Sequence, residues 1–110
     1  MCTYTISEIA ERVKPVAEQY DIEKVTLFGS YARGEATEES DIDLMISYKK
    51  ILGAFALSGI FSDFKEALSK SVDIISEKAV TSDYATDLGK KLYSNIKNEG
   101  ILIYDRNNQG

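Results

Sequence analysis

The stretch LFGSYARGEATEESDIDLMI, residues 27–46, decides both the fold and the chemistry that we expect. An apolar run ends at Gly29-Ser30, ten residues follow, and Asp41-Ile42-Asp43 then precedes a second apolar run. Side chains alternate along a strand, so Asp41 and Asp43 are expected on one face. Two such carboxylates repel each other when both are ionised, and Mg²⁺, which prefers oxygen ligands, removes that repulsion. The pair therefore predicts a metal site.

The Gly-Ser turn supplies the other half of the predicted site. Gly29 lets a phosphate group approach the backbone closely. Ser30 begins a predicted helical turn near residues 30–33, so its hydroxyl and the following N–H groups are placed to hold phosphate oxygens. This interpretation has the turn holding a triphosphate and the two aspartates holding the metal ion that bridges it.

A third carboxylate extends the same interpretation. Asp73 interrupts the apolar strand-like segment SVDIIS, residues 71–76, and an aspartate in such a segment is costly to bury unless it is paired or binds a ligand. If this strand lies beside the strand of Asp43, three acidic groups converge, which suffices for one or two metal ions in phosphoryl or nucleotidyl transfer. The simpler alternatives are that Asp41 is a cap, Asp43 a solvated strand residue and Asp73 a strand-edge residue.

The amino-acid composition excludes several kinds of catalytic and structural chemistry. The chain has 110 residues, a net charge of −5, no histidine and a single cysteine, Cys2. Histidine-based triads and intrachain disulfides are therefore excluded, and any catalysis relies on carboxylates, hydroxyls, Lys or Arg. The excess of acidic over basic residues argues against general nucleic-acid binding. Without an apolar segment of membrane-spanning length or a signal-peptide core, we expect no membrane association and a cytoplasmic location.

The hydrophobic pattern predicts a single α/β domain over residues 1–110, with a small mixed sheet of about four strands, three main helices and a flexible tail at 105–110. The strands are expected at 24–28, 39–47, 71–76 and 101–104, with the first two antiparallel because their link is short. A first helix is expected to kink or break at Pro15. The three apolar helix stripes are Ile6, Ile9, Val13, Val16 and Tyr20; Leu57, Ile60, Phe61, Phe64 and Leu68; and, in a helix beginning near Ser82 and Asp83, Ala85, Leu88, Leu92 and Ile96.

These motifs carry a resemblance that covers nearly the whole chain. Gly29-Ser30, ten residues, Asp41-x-Asp43 and a later Asp73 in a VDII strand resemble the DNA polymerase beta superfamily of nucleotidyltransferases. The segments VTLFGSYARGE, SDIDLMI, SVDII and EGILIYD are similar to its minimal nucleotidyltransferase branch, which includes MntA-like antitoxins often encoded beside a HEPN-domain partner. The resemblance implies the polymerase beta-like nucleotidyltransferase fold.

The resemblance also implies roles for individual residues. Asp41, Asp43 and Asp73 would be the catalytic residues and the Mg²⁺ ligands, and Asp73 could help to deprotonate the attacking hydroxyl. Gly29, Ser30 and Arg33 would bind the nucleotide, although Arg33 is equally compatible with a surface role. One departure is Tyr31, where many relatives have Arg, so one phosphate-facing cation would be missing.

Three functions follow from this resemblance. In the first, the protein is an Mg²⁺-dependent enzyme that moves AMP from ATP to a hydroxyl, implied to be a tyrosine of a HEPN toxin, and so acts as an antitoxin. In the second, it neutralises its partner by binding, with little or no catalysis. In the third, it modifies a small molecule, which the short chain disfavours. Sheet edges make homo- or hetero-oligomers plausible.

Overall fold

The computed structural model describes residues 4–49, 54–81 and 86–106. These ranges contain five helices and four strands, which is the α/β fold class that the sequence predicts. In chain order the elements are α1 (Ile6–Gln19), β1 (Lys24–Phe28), α2 (Ser30–Arg33), β2 (Ile42–Ser47), α3 (Ala54–Leu68), β3 (Val72–Ser76), α4 (Glu77–Thr81), α5 (Asp87–Glu99) and β4 (Ile101–Asp105).

The four strands form one mixed sheet in the order β3-β2-β1-β4. Strand β1 is antiparallel to β2, as its short connection predicts, and also to β4. Strand β2 is parallel to β3, and α3 provides the longer crossover that a parallel pair requires. The sheet therefore places β2, the strand of Asp43, between the strand that ends at Gly29 and the strand of Asp73.

The two faces of the sheet have different environments. Ile42, Leu44 and Ile46 of β2 are fully buried in the main core, which α1 and α3 complete with residues such as Ile9 and Phe64. The alternate residues of β2 face the other side, where Met45 packs in a smaller cluster with Val80 of α4 and Ile96 of α5. Because Asp43 is two residues before Met45, it lies on this second, less covered face.

The sequence predicted a kink or a break of α1 at Pro15. The helix continues through Pro15, so the predicted break is wrong. Pro15 is on the exposed side of the helix, and Glu11, whose carbonyl would have accepted the missing hydrogen bond, is exposed too. Water can bond to that carbonyl, which reduces the cost of the proline. A capping box also fixes the start of the helix, with Glu8 N–H donating to Thr5 Oγ1 and Thr5 N–H donating to Glu8 Oε1.

The predicted stripe of α3 is only partly buried. Ile60, Phe64 and Leu68 are in the core, whereas Leu57 and Phe61 remain about two-fifths exposed, at 40% and 44%. Both exposed residues lie on the side of α3 that faces the edge strand β3 across an apolar groove. The helical period was correct, but periodicity alone does not show how much of a stripe a neighbouring element covers.

The C-terminal helices differ more from the prediction. The predicted start at Ser82-Asp83 and the stripe residue Ala85 lie outside the described residues. Helix α5 begins at Asp87, after an N-cap in which Thr86 Oγ1 accepts a hydrogen bond from Gly89 N–H, and Leu88 is exposed rather than packed. Helix α4 was not predicted, because five residues are too few to produce a periodic signal.

Two strand boundaries also change. Strand β2 begins at Ile42 rather than residue 39, because Ser40 and Thr37 form a turn in which Ser40 N–H donates to the carbonyl of Thr37. At the other end of the chain, Asp105 belongs to β4 and Arg106 N–H donates to the carbonyl of Glu23, so the predicted tail cannot begin at 105. Within the described ranges, no helix combines the length and apolar character that crossing a bilayer requires.

Two tyrosine hydroxyls with opposite environments give a stability prediction. The Tyr31 hydroxyl is buried with no hydrogen-bond partner among the described residues, whereas the Tyr20 hydroxyl donates to Asp63 Oδ2 at 2.6 Å. Leaving a buried hydroxyl unpaired costs about 1–3 kcal/mol. We expect Tyr31→Phe to raise the free energy of unfolding by about 1 kcal/mol in urea titrations.

The matched variant Tyr20→Phe deletes the same atom but removes a hydrogen bond, so it should lower the free energy of unfolding. A loss of stability in Tyr31→Phe of the kind seen in Tyr20→Phe would show that the Tyr31 hydroxyl has a partner after all.

Candidate active site

Two of the predicted aspartates face each other across adjacent strands. The parallel register of β2 and β3 pairs Asp43 directly with Asp73, and neighbouring strands lie about 4.8 Å apart. Their strand neighbours on the same face, Met45 and Ile75, belong to the smaller cluster under α5. Asp43 is half-buried and Asp73 is exposed on the edge strand. The structure therefore brings these two carboxylates together, because β3 lies beside β2, which is the condition on which the predicted convergence of acidic groups depended.

Gly29 lies directly against the carboxylate of Asp43. Strand β1 ends one residue earlier at Phe28, which is the register partner of Asp43, so the turn that follows passes over the Asp43 side chain. The backbone of Gly29 has a φ of 74° and a ψ of −153°, a conformation that is essentially restricted to glycine. A Cβ atom at this position would overlap Asp43 Oδ2. The close approach of turn and carboxylate therefore requires glycine.

The acidic groups interact strongly with one another. The pKa of Asp43 is raised to about 6, first by its burial, then by the negative charges of Asp73 and Asp41 and by a hydrogen bond with Asp73; Arg33 opposes these effects. One proton shared between two carboxyl groups is the usual response of such a pair when no cation neutralises it. Asp41 precedes β2 and is exposed, yet it is near enough to act on Asp43 electrostatically.

The donor set suits a hard divalent cation. Among the described residues, no group of three or more Asp, Glu, His or Cys side chains is close enough to hold a metal ion as the side chains stand. One or two carboxylates plus substrate phosphates are, however, the usual Mg²⁺ ligands. Asp43 and Asp73 supply two carboxylates on adjacent strands, and the negative charge of Asp73 adds to the cost of ionising Asp43, so the residues fit such an ion.

Ser30 and Arg33 occupy the two ends of the short helix α2. Ser30 is its first residue and is half-buried. Arg33 is exposed and forms ion pairs with Glu35, at 2.8 Å from Nε to Oε1, and with Glu99 of α5, at 3.5 Å from Nη1 to Oε2. These carboxylates raise the pKa of the Arg33 guanidinium, mainly through the hydrogen bond to Glu35. Arg33 is therefore engaged with side chains that the sequence did not connect to it.

Tyr31, which stands where many relatives have Arg, is a core residue in this structure. Its side chain is only 4% exposed and packs in the main core. Position 31 therefore lies on the core side of α2, and the loss of a phosphate-facing cation through this tyrosine stays a prediction.

A small cavity beside Gly29 was missed by the sequence analysis. It has a volume of about 190 Å³, and α5 forms one wall. The α5 residues in its lining are spaced three and four positions apart, so they lie on one face of the helix. This spacing can be read from the sequence, but nothing in the sequence connects that helix face to Gly29. The lining residues are Phe28, Gly29, Arg33, Leu92, Asn95, Ile96 and Glu99.

A mixed sheet with adjacent carboxylates on neighbouring strands, next to a glycine turn that ends a third strand, is the arrangement of a nucleotidyltransferase. The family model described as "Polymerase beta, Nucleotidyltransferase" matches residues 11–109. The chain therefore belongs to the polymerase beta nucleotidyltransferase family, and both the predicted fold and the predicted enzyme class are confirmed.

Curated relatives narrow the family to its minimal branch. A Methanocaldococcus jannaschii protein with the provisional name protein adenylyltransferase is 34% identical over 84 residues, covering 73% of this chain and 86% of the relative. The protein adenylyltransferase MntA of Thermococcus cleftensis is 27% identical over 89 residues, covering 77% of this chain and 90% of the relative. The resemblance to MntA-like minimal nucleotidyltransferases is confirmed.

A solved complex has the same fold. A chain from the structure of a tri-AMPylated Shewanella oneidensis HEPN toxin in complex with its MNT antitoxin aligns with a TM-score of 0.63. The alignment covers 90% of this chain and 71% of that chain, at 17% sequence identity. At this identity the match supports the fold.

Two glycines with similar φ values allow the Gly29 contact to be tested. Gly34 has a φ of 73° but open space where a Cβ would lie. Gly34→Ala, in the left-handed helical region, should therefore cost only a conformational penalty of about 1 kcal/mol, whereas Gly29→Ala combines a backbone conformation essentially restricted to glycine with an overlap with Asp43 and should cost at least about 3 kcal/mol. Chemical denaturation of both variants measures the difference. Equal losses would show that Gly29 does not approach Asp43 closely.

The raised pKa of Asp43 gives a pH dependence with a defined sign. The unfolded chain releases this proton near the usual value of about 3.9, whereas the folded protein holds it to about pH 6. Between these values the folded state binds more protons, so its stability falls as pH rises and stays lower above pH 6. Because solvent screens the charge of the half-exposed Asp43 carboxylate, the loss of folding stability should be limited to about 1 kcal/mol.

Urea unfolding in EDTA at pH 4.5 and pH 8 tests this expectation. Asp43→Asn should be more stable relative to the wild type at pH 8 than at pH 4.5. The control Glu11→Gln removes an exposed carboxylate from α1 and should show no such change. A stability difference for Asp43→Asn that is the same at both pH values would contradict the assignment.

Proposed function

We propose that this protein transfers AMP from ATP to a hydroxyl acceptor in an Mg²⁺-dependent reaction. The observation that carries the proposal is the pairing of Asp43 with Asp73 directly beside the Gly29 turn. Burial and the negative charges of Asp73 and Asp41 raise the cost of ionising Asp43, and the glycine lets the backbone of the turn approach the Asp43 carboxylate. A metal-bound triphosphate satisfies both features at once.

Each site residue has a role in this proposal. Asp43 and Asp73, together with the exposed Asp41, would hold one or two Mg²⁺ ions. The backbone at Gly29 and Ser30 would hold the triphosphate. Bound Mg²⁺ supplies Lewis-acid stabilisation of the charge that develops on phosphate oxygens. Arg33 would contribute positive charge once a phosphate competes with Glu35 and Glu99 for it. ATP is a cytoplasmic metabolite, and we place the reaction in the cytoplasm.

The strand order supports a direction of approach for each proposed substrate. Gly29 follows β1, whereas Asp73 is on β3, which is an edge of the sheet. The nucleotide would therefore lie over the β1 side and the acceptor would approach over the β3 edge. The acceptor oxygen attacks the α-phosphorus, the bond from that phosphorus to the bridging oxygen breaks, and pyrophosphate leaves. The proton of the acceptor hydroxyl passes to the exposed carboxylate of Asp73.

The acceptor that we propose is a tyrosine of a HEPN-domain toxin, so that the protein acts as an antitoxin in a hetero-oligomer. Relatives that carry the name protein adenylyltransferase, and the fold shared with an MNT antitoxin bound to an AMPylated HEPN toxin, support this choice. The exposed position of Asp73 also suits a bulky protein acceptor better than an enclosed small molecule.

A second candidate is neutralisation of the partner by binding alone. The observation in its favour is an exposed apolar surface on α3, where Phe55 is 94% exposed and Leu57 and Phe61 are partly exposed. Scattered exposed apolar residues are common, but several on one helix beside an edge strand favour a protein contact. The net charge of −5 would suit a basic partner. Binding and catalysis can be separated experimentally.

Label transfer from α-labelled ATP to the purified HEPN partner tests the proposal. We expect Mg²⁺-dependent labelling by the wild type and at least about a hundredfold less by Asp43→Asn, because one carboxylate ligand and its charge are lost. Glu11→Gln, a remote carboxylate change, should label normally. Analytical size-exclusion chromatography of each variant with the partner shows whether binding is retained.

The outcomes separate the two candidates. Loss of labelling together with loss of neutralisation in Asp43→Asn, while the complex still forms, supports the enzyme. Full neutralisation by Asp43→Asn without labelling would instead establish that binding alone protects the cell.

A further inference from the structure

The cavity of about 190 Å³ beside Gly29 lies outside the carboxylate motif and is not used by the reaction steps above. Strand β1 and helix α2 form one side of it through Phe28, Gly29 and Arg33, and α5 forms the other. Gly29 thus borders both this cavity and the carboxylate of Asp43. A ligand whose phosphates lie at the Gly29-Ser30 turn therefore has a second compartment within reach.

The size and lining of the cavity indicate what it can hold. Pockets for whole drug-sized ligands usually measure at least about 300 Å³, so this cavity suits a single ring system rather than an entire nucleotide. Phe28, Leu92 and Ile96 provide apolar walls, which cannot replace the hydration of a phosphate but can contact a flat aromatic ring.

The charges at the cavity also disfavour phosphate. Glu99 contributes a carboxylate to the lining, and the guanidinium of Arg33 is already paired with Glu99 and Glu35. Within the lining the charge of Arg33 is balanced by that of Glu99, so the cavity offers no excess positive charge that would favour an anionic group. Asn95 is the one amide side chain in the lining, and it is exposed. An amide can donate and accept a hydrogen bond at the same time.

We propose that this cavity is the subsite for the nucleobase of the transferred nucleotide, and that Asn95 reads the adenine edge. The inference rests on the proposed function, because it needs the triphosphate at the Gly29 turn. Adenine presents a donor amino group next to a ring-nitrogen acceptor, which an asparagine amide matches with two hydrogen bonds. Guanine presents an acceptor oxygen in place of that amino group, so the same amide orientation fits it less well.

The test compares ligands that share phosphates but differ in the base. Isothermal titration calorimetry with Mg²⁺ measures binding of ATP, GTP and inorganic tripolyphosphate, which has no base, to the full chain. We expect the wild type to bind ATP more tightly than GTP. In Asn95→Ala, ATP affinity should fall about three- to tenfold and the preference for ATP over GTP should shrink by the same factor, while tripolyphosphate affinity stays within about twofold.

Asn98→Ala is the matched control, because Asn98 is an exposed asparagine of the same helix that does not line the cavity. Asn95→Leu, which adds apolar bulk at the mouth, should also weaken ATP but not tripolyphosphate. Circular dichroism of each variant checks that α5 still folds, and α5 should tolerate both changes because leucine and alanine favour helix more than asparagine does.

Three results would overturn the inference. Asn95→Ala could bind ATP as Asn98→Ala does, or it could lose tripolyphosphate affinity as much as ATP affinity, or the wild type could bind ATP no better than tripolyphosphate. Each of these leaves the proposed reaction intact and removes the base subsite. An absence of Mg²⁺-dependent binding of both ATP and tripolyphosphate to the wild type would instead overturn the proposed function itself, and the subsite with it.

Discussion

The contact between the Gly29 backbone and the Asp43 carboxylate is the constraint on which the site depends. Gly29 ends β1 in a conformation restricted to glycine, and no side chain separates its backbone from Asp43 Oδ2. The contact fixes the turn over one end of β2, and the parallel register then places Asp73 beside Asp43. A glycine turn, a half-buried carboxylate and an edge carboxylate are thereby aligned across three strands.

The residues that stabilise the fold and the candidate site residues lie on opposite faces of the sheet. On one face, fully buried residues such as Leu27, Leu44 and Phe64 form the core with α1 and α3. On the other, only a smaller cluster around Met45 and Ile96 lies under α5, and the carboxylates beside it remain accessible. The pKa of Asp43 is raised first by burial and then by the charges of Asp73 and Asp41, so ionising this carboxyl group is unfavourable without a cation. The well-packed face supplies the stability that this arrangement requires.

Much of this arrangement could be predicted from the sequence. The Gly29-Ser30 turn and the antiparallel pairing of β1 with β2 follow from residue type and connection length, and the cost of an aspartate in an apolar strand singled out Asp73. The sequence made a contact of Asp73 with Asp43 conditional on their strands being neighbours, and the structure meets that condition. These are local rules, or rules for neighbouring strands, and the sequence contains enough information to apply them. The family resemblance added the expected roles of the aspartates.

Features that depend on contacts between distant segments could not be predicted. The ion pair of Arg33 with Glu99 joins residues 66 positions apart, and no local pattern specifies it. The burial of Tyr31 in the core could not be predicted, because a single helical turn has no periodicity from which to choose a face. A kink or a break was expected at Pro15, yet α1 continues there, because the exposed position makes the missing hydrogen bond tolerable. In each case tertiary position, rather than residue type, decided the outcome.

A crystal structure of the protein with Mn²⁺ and a non-hydrolysable ATP analogue would test the central claim most directly, since anomalous scattering locates Mn²⁺ in place of Mg²⁺. The account predicts metal density in contact with Asp43 and Asp73, triphosphate density over the Gly29-Ser30 turn, and a close approach between that phosphate and the Gly29 backbone. Metal and nucleotide bound away from the paired aspartates, or a side chain filling the space at Gly29, would contradict it.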